Sequence, residues 1–404
     1  MNRKISLGLC LSLVIITVAA TFAVTMVFSK QIYNRIISNI SQRSQSYSNV
    51  EEINRIISNN FYGDLSAFNS NLSASLGEGY VNGLQDKNSY YMTASEYMDY
   101  NRRLNGEITG VGIETLYDYA AGELVVTYVY EGSSAESEGI RAGDVITAVD
   151  DVAVNRSNYD ALAAFFTGSR LDSVRIEYMR DDVTKVAQPI SNFSIPTVTG
   201  RNVNGVGYVR ISSFGKNTAA ELKSVLEDYK KSGLTAVIID LRNNREGTIK
   251  YAANALDVII SNINGSIAIA RHSNGKEDVF TAENSNFTQF AYAVLINGGT
   301  SGPAELFACD MRDILQCVLI GTTTAGVGTM QEVFTLDDGG AIMLTTALII
   351  PRAGENAVYD GVGIAPDANG EITLPVEDAN ISLLDEADDN QLNAAVNLLT
   401  EQMN

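Results

Sequence analysis

Histidine is nearly missing from this 404-residue chain, which has one, His272, beside three cysteines, six prolines and no tryptophan. A single histidine excludes a multi-histidine metal centre and leaves a histidine-based catalytic triad one candidate. Cys10, Cys309 and Cys317 form no C-x-x-C pair, which excludes a disulfide scaffold and a cysteine-rich zinc site. Basic charge is also scarce: 28 Lys and Arg face 48 Asp and Glu, a formal net charge of −20. Phosphate contact needs clustered cations, so nucleic acid is not an expected partner. Acidic runs at 337–338 and 385–389 lack the glycine and spacing of a calcium loop and read as solvated turns. No metal and no cofactor is expected. Apolar sequence is plentiful at 45% of the chain, enough for two or three domains with real cores.

Arg3 and Lys4 precede an uncharged run from Ile5 to Ser29 that stops at Lys30. Residues 1–30 therefore read as an uncleaved signal anchor, a membrane helix with its N-terminus in the cytoplasm and the body outside. A cleaved signal peptide is the alternative, since Ala19, Ala20 and Ala23 supply small residues. Residues 31–105 read as helical. Val50, Ile53, Ile57 and Phe61 form one stripe and Phe68, Leu72 and Leu76 another, both expected to pack.

Residues 106–191 are strand-rich, with Gly110-Val111-Gly112-Ile113, a β-rich stretch from Leu124 to Tyr130, the run Gly139 to Ile146, and a helical Tyr159 to Phe166. Residues 192–375 turn α/β. Val206 to Ile211 alternates as a strand, and Thr218 with Glu221 suggests a capping box before Leu222, Val225, Leu226 and Tyr229. Ala236 to Asp240 and Tyr292 to Ile296 read as buried strands running into polar turns, where α/β folds commonly place sites. In the tail, 376–404, Leu392, Val396, Leu399 and Met403 share a helical face suited to docking or dimerisation. His272 sits where a strand end enters a turn and reads as a surface histidine, while Cys309 and Cys317 read as buried thiols.

The glycine-bearing entry, the Gly139–Ile146 run and the following helix together resemble a PDZ domain. That resemblance implies that Gly110, Val111, Gly112 and Ile113 offer backbone N–H groups to a peptide's C-terminal carboxylate, the peptide adding a strand to the sheet edge. Further motifs follow in order: Gly83 to Met92 with Glu96-Tyr97, Tyr208 to Phe214, Asp240-Leu241-Arg242-Asn243-Asn244, Asn297 to Glu305, Gly326 to Gln331, and Gly361 to Asp367. Their combination resembles the C-terminal processing peptidases, or tail-specific proteases, over nearly all of the chain after residue 30. The resemblance implies a multidomain α/β protein: a membrane helix and helical segment, a PDZ-like β-rich domain, an α/β peptidase-like core and a C-terminal helix.

In that family a serine is activated by a lysine amine, a glutamine orients the lysine, and backbone N–H groups form an oxyanion hole, so the shortage of histidine excludes nothing. The family's active-site segment reads like S-A-S-A-S-E; anchored on Glu305, the nucleophile position holds Gly302. Its second segment reads like F-G-K-G-x-x-Q, and here Val327 stands at the lysine position while Gln331 is kept. The residue after the nucleophile, a hole donor in the family, is Pro303, which has no N–H. The other donor, from a glycine pair in the family, falls at Glu246-Gly247, where a carboxylate would oppose an oxyanion.

The sequence thus suggests a catalytically degenerate, membrane-tethered protein that binds peptides or protein tails. Two alternatives stay open. One is an active peptidase attacking with Ser301 beside Lys250 or Arg245, although an arginine is too basic to act as the base. The other is a non-catalytic dimer subunit of an active relative.

Overall fold

Strands made wholly of buried residues need cover on both faces, and Ala236–Asp240 is such a strand. It is the middle of a five-stranded sheet in the order Val198–Val203, Val206–Ile211, Ala236–Asp240, Ala291–Ile296, Val318–Gly321. The first pair is antiparallel and the rest are parallel. Helices Thr218–Lys231, Ile249–Ile259 and Pro303–Leu315 contribute to the core on one face. Helix Asn390–Met403 covers the other, with Leu392, Val396 and Leu399 buried against Ile238 and Leu295. The tail's apolar face is therefore used in docking within the chain.

The computed structural model describes residues 47–167, 173–260, 266–281 and 290–403, together with 17, 21, 25 and 26. All but four residues of the expected anchor at 1–30 lie outside that set, as does the rest of the segment up to residue 46. Among the described residues no helix is long and apolar enough to cross a membrane. The chain forms two units, Met1–Leu76 and Gly77–Asn404. In the first, residues 47–60 are helical, and Val50, Ile53, Phe61 and Leu76, expected to pack, are exposed.

Within the second unit, the PDZ-like region is an antiparallel sheet in the order Ile113–Asp118, Glu123–Val129, Val145–Val149, Ile176–Arg180, Val183–Ala187, around its own core of Val126, Ile146, Phe166 and Ile176. Its edge strand is tied to the central sheet by Glu114, which accepts from Arg210 Nη1 at 2.7 Å and from the Tyr130 hydroxyl at 2.6 Å. A third sheet pairs Tyr90–Met92 with the long Ala341–Pro351 strand, bringing the helix Ala94–Leu104 to the core. Thr93 and Glu96 cap that helix reciprocally. In the same sheet His272 ends strand Ser266–His272 and is mostly buried, its Nε2 2.8 Å from Asp278 Oδ2.

The Thr218–Glu221 capping box does not form. Asn217 precedes the helix without a side-chain cap. Glu221 reaches instead to the neighbouring strand, accepting from the N–H and hydroxyl of Thr197 and the N–H of Val198. The buried Thr218 hydroxyl accepts from Gly215 and donates to the Ser213 carbonyl. Both side chains serve tertiary contacts that outrank the local cap.

Asp310 is fully buried in the Pro303–Leu315 helix, where the Arg352 backbone and charge offset its burial only in part. Burial, reinforced by Asp313, pushes its carboxyl well above the ordinary value of 3.8. A raised carboxyl favours the folded state at low pH, and that contribution is lost as pH rises above about 4 towards the folded value. Asp310→Asn should therefore be more stable than the parent at pH 7 to 8 by about 1–3 kcal/mol. The gap should close towards pH 4, checked by denaturant unfolding across that range.

Candidate functional site

Two strand ends of the central sheet build the site. After Asp240 the chain runs through Asn243, at φ +60°, and Asn244; after Ile296 it runs through Asn297 to Gly302. Asn297, buried, locks the two loops together by accepting from the N–H groups of Asn243 at 2.9 Å and Gly299 at 3.0 Å. Thr300 donates to the Leu241 carbonyl at 2.9 Å, and the Ser301 N–H donates to the Asn244 carbonyl at 2.9 Å.

Gly302 then turns into the Pro303–Leu315 helix with φ +57° and ψ −111°, a conformation that favours glycine. Glu305, fully buried one turn on, organises the surroundings. Its carboxylate accepts N–H groups from Gly302 at 2.9 Å, Gly326 at 2.7 Å and Val327 at 2.7 Å, and the Thr324 hydroxyl. This cradle brings the 324–328 loop to the helix start. A Cβ placed on Gly302 would have open space and would meet only Val327 Cγ1, at 4.0 Å. The sequence positions 302 and 327 are thus neighbours across the site, and neither carries a hydroxyl or an amine. Gln331 lines the same cleft, its Nε2 donating to the hydroxyls of Thr329 at 2.8 Å and Thr345 at 3.4 Å.

The cleft has a volume of about 250 Å³. Of the N–H groups around the helix start, that of Gly302 is bound to Glu305 and Pro303 has none. Glu246 and Gly247 pair with Ser213–Phe214 on the opposite wall, and Gly247, at φ +125°, passes so close that a Cβ there would lie 2.3 Å from the Phe214 carbonyl oxygen. The Glu246 carboxylate is exposed on the cleft, 3.6 Å from Arg103. Ser301 also lines the cleft, and its Oγ is hydrogen-bonded to no base among the described residues; Lys250 is exposed and does not line it.

Sequence reasoning missed the wall supplied by the segment before the PDZ-like region: Lys87, Tyr90, Tyr100 and Arg103 face the cleft. The available signal was the motif over Gly83 to Met92, which carried no chemistry of its own. Burial, with Tyr90 and further neighbours, pushes the Tyr100 phenol up to about 12, so it stays a proton donor at neutral pH.

The PDZ-like loop is engaged internally. Gly110, Val111, Gly112 and Ile113 are all buried, the Val111 N–H donates to the Phe166 carbonyl at 3.0 Å, and its carbonyl accepts from Ala135. Gly112, at φ +90°, lies where a Cβ would be 2.1 Å from that of Ser133. Tyr117 on the edge strand stacks on Tyr159 of the facing helix, centroids 4.4 Å apart. A peptide adding to that edge would have to part these rings and displace Phe166 from Val111.

Comparison with known proteins fits this architecture. A model of peptidase family S41 matches residues 205–369, and a PDZ domain model matches 125–180. The carboxy-terminal processing protease CtpA of Bacillus subtilis (strain 168) is 29% identical over 310 residues, covering 75% of this chain and 66% of that protein. This chain carries a peptidase family S41 core over residues 205–369 and is similar to the C-terminal processing proteases. A probable CtpA-like serine protease of Staphylococcus haemolyticus (strain JCSC1435) is 26% identical, covering 89% of this chain and 71% of that one. A putative S41 protease from Bacteroides fragilis NCTC 9343 shares the fold, with a TM-score of 0.54 at 18% identity, over 74% of this chain and 86% of that one. The chain thus spans about two thirds of the length of the curated family members it matches.

Proposed function

We propose that this chain is catalytically silent and holds peptides or protein tails, tethered to a membrane by residues 1–30 with its body on the outer side. The observation that carries the proposal is that Gly302 and Val327 face each other, a Cβ built on Gly302 falling 4.0 Å from Val327 Cγ1. The family's reaction needs a hydroxyl and an amine facing each other, and here a hydrogen atom faces a methyl group. Of the two positions that would hold an oxyanion in the family, Pro303 has no N–H, and the other, Glu246-Gly247, brings a carboxylate to the cleft. A cleft with intact walls and no reacting groups retains ligands without converting them. The tether is supported by the uncharged run from Ile5 to Ser29 behind Arg3 and Lys4.

Activity through Ser301 is disfavoured by the lack of any base bonded to its hydroxyl among the described residues. A dimer subunit relying on the tail helix is disfavoured because Leu392, Val396 and Leu399 are already buried within the chain. The test is incubation with an unstructured protein and with apolar-tailed peptides, followed by mass spectrometry. No cleavage is expected above a no-protein blank. Turnover that disappears in Ser301→Ala would overturn silence and establish a relocated nucleophile.

A further inference from the structure

We infer that the ligand of the cleft is an acidic peptide segment, an apolar anchor residue flanked by Asp or Glu; this rests on the tail-holding function proposed above. The floor mixes polar and apolar groups, and its apolar part lies around Val327. Phe214 and Ile249 are buried beneath it, and Val327 with the open space over Gly302 extends it where the family would place polar reacting groups. An aliphatic or aromatic side chain fits that apolar part, where its burial favours binding.

The rim carries the opposite charge to the rest of the molecule. The chain has 48 acidic against 28 basic residues, yet the cleft is lined by Lys87, Arg103 and Arg245 and by one carboxylate, Glu246. Glu246 stands 3.6 Å from Arg103, with half or more of each side chain exposed, so that pair is loose. Lys87 and Arg245 have no carboxylate partner among the described residues. A ligand acid beside the anchor would meet two free cations and could compete with Glu246 for the third. A ligand lysine would meet two like charges and one carboxylate already shared. At physiological salt the screening length is about 8 Å, so a docked segment responds to this rim rather than to the distant net charge.

The test uses the full chain in detergent micelles and three fluorescent peptides with one apolar anchor, flanked by Glu, Ser or Lys, read by anisotropy. The Glu peptide should bind at least tenfold tighter than the Ser peptide, with the Lys peptide weakest. Lys87→Ala with Arg245→Ala should erase the preference, bringing the Glu peptide within about twofold of the Ser peptide. Val327→Trp, which fills the floor, should weaken all three. Equal affinities for the three peptides, each weakened by Val327→Trp, would overturn the charge preference and leave tail holding intact. Absence of binding by every peptide would overturn both. Retained Glu-peptide binding in Val327→Trp would move the site out of the cleft and overturn the inference.

Discussion

Gly302→Ser combined with Val327→Lys is expected to leave proteolysis at or near background, and adding Pro303→Ala to raise turnover about a hundredfold or more. The first two changes restore a hydroxyl and an amine at positions that already face each other, with room for a side chain on residue 302. A lysine entering the apolar part of the floor would have its amine pKa lowered by desolvation, as the base role needs. A serine must also adopt φ +57° and ψ −111°, a strain of about 1–3 kcal/mol that the bonds of Ser301 to Asn244 and of Gly302 to Glu305 help to hold. What the double variant still lacks is an N–H beside the reacting carbon, because a proline occupies the first helical position. An alanine there supplies a free donor of the first helical turn. The measurement is initial rate on an unstructured protein, with Ser301→Ala added as the control for the neighbouring hydroxyl. Robust hydrolysis by the double variant would show that the missing donor is replaced from elsewhere in the cleft.

The second large effect concerns stability. Arg242 is buried beneath the tail, its guanidinium donating to Asp240 at 2.6 Å, to Asp389 at 2.8 Å and to Gln391 at 3.1 Å, while the Tyr208 hydroxyl donates to Asp240 at 2.8 Å. Arg242→Met leaves two buried carboxylates uncompensated and should cost about 3–5 kcal/mol. For a unit of this size that is on the order of ten degrees in Tm. Removing Asp389 as well, by Asp389→Ala, should cost less than the sum, since the two side chains share one network. Burial acts to raise the Asp240 carboxyl, and the Arg242 charge with its hydrogen bonds overcomes this and holds it below the ordinary value of 3.8. A depressed carboxyl stabilises above its unfolded value, and that stability is lost as pH falls below about 4. Arg242→Met should therefore lack this part of the acid limb. Limited proteolysis should cut the variant first near 385–390, where the tail helix joins. An unchanged Tm in Arg242→Met would mean that the apolar face of Asn390–Met403 alone secures the tail.

How legible the fold was depended on whether a residue's role was local or distant. Ala236 to Asp240 and Ala291 to Ile296 are strands because unbroken β-branched and apolar runs fit a sheet buried on both faces, a property of consecutive residues. The C-terminal helix was legible from its period, and what it packs on was not, since a stripe does not name its partner. Thr218 and Glu221 have the spacing of a cap, and a neighbouring strand took both. The stripe of Val50, Ile53 and Phe61 has the spacing of a packed face and is exposed.

The sequence by itself determined the chemistry that is missing: a glycine has no hydroxyl, a valine no amine and a proline no N–H, wherever they fold. The tertiary structure alone decided that Gly302 and Val327 face each other, through a buried Glu305 gathering amides from the helix start and from residues 21 and 22 positions further along the chain. It also decided that Lys87, Arg103 and Arg245 ring the resulting cleft on a chain of net charge −20. Identity is a property of one residue, whereas proximity is set by sheet register and long-range hydrogen bonds.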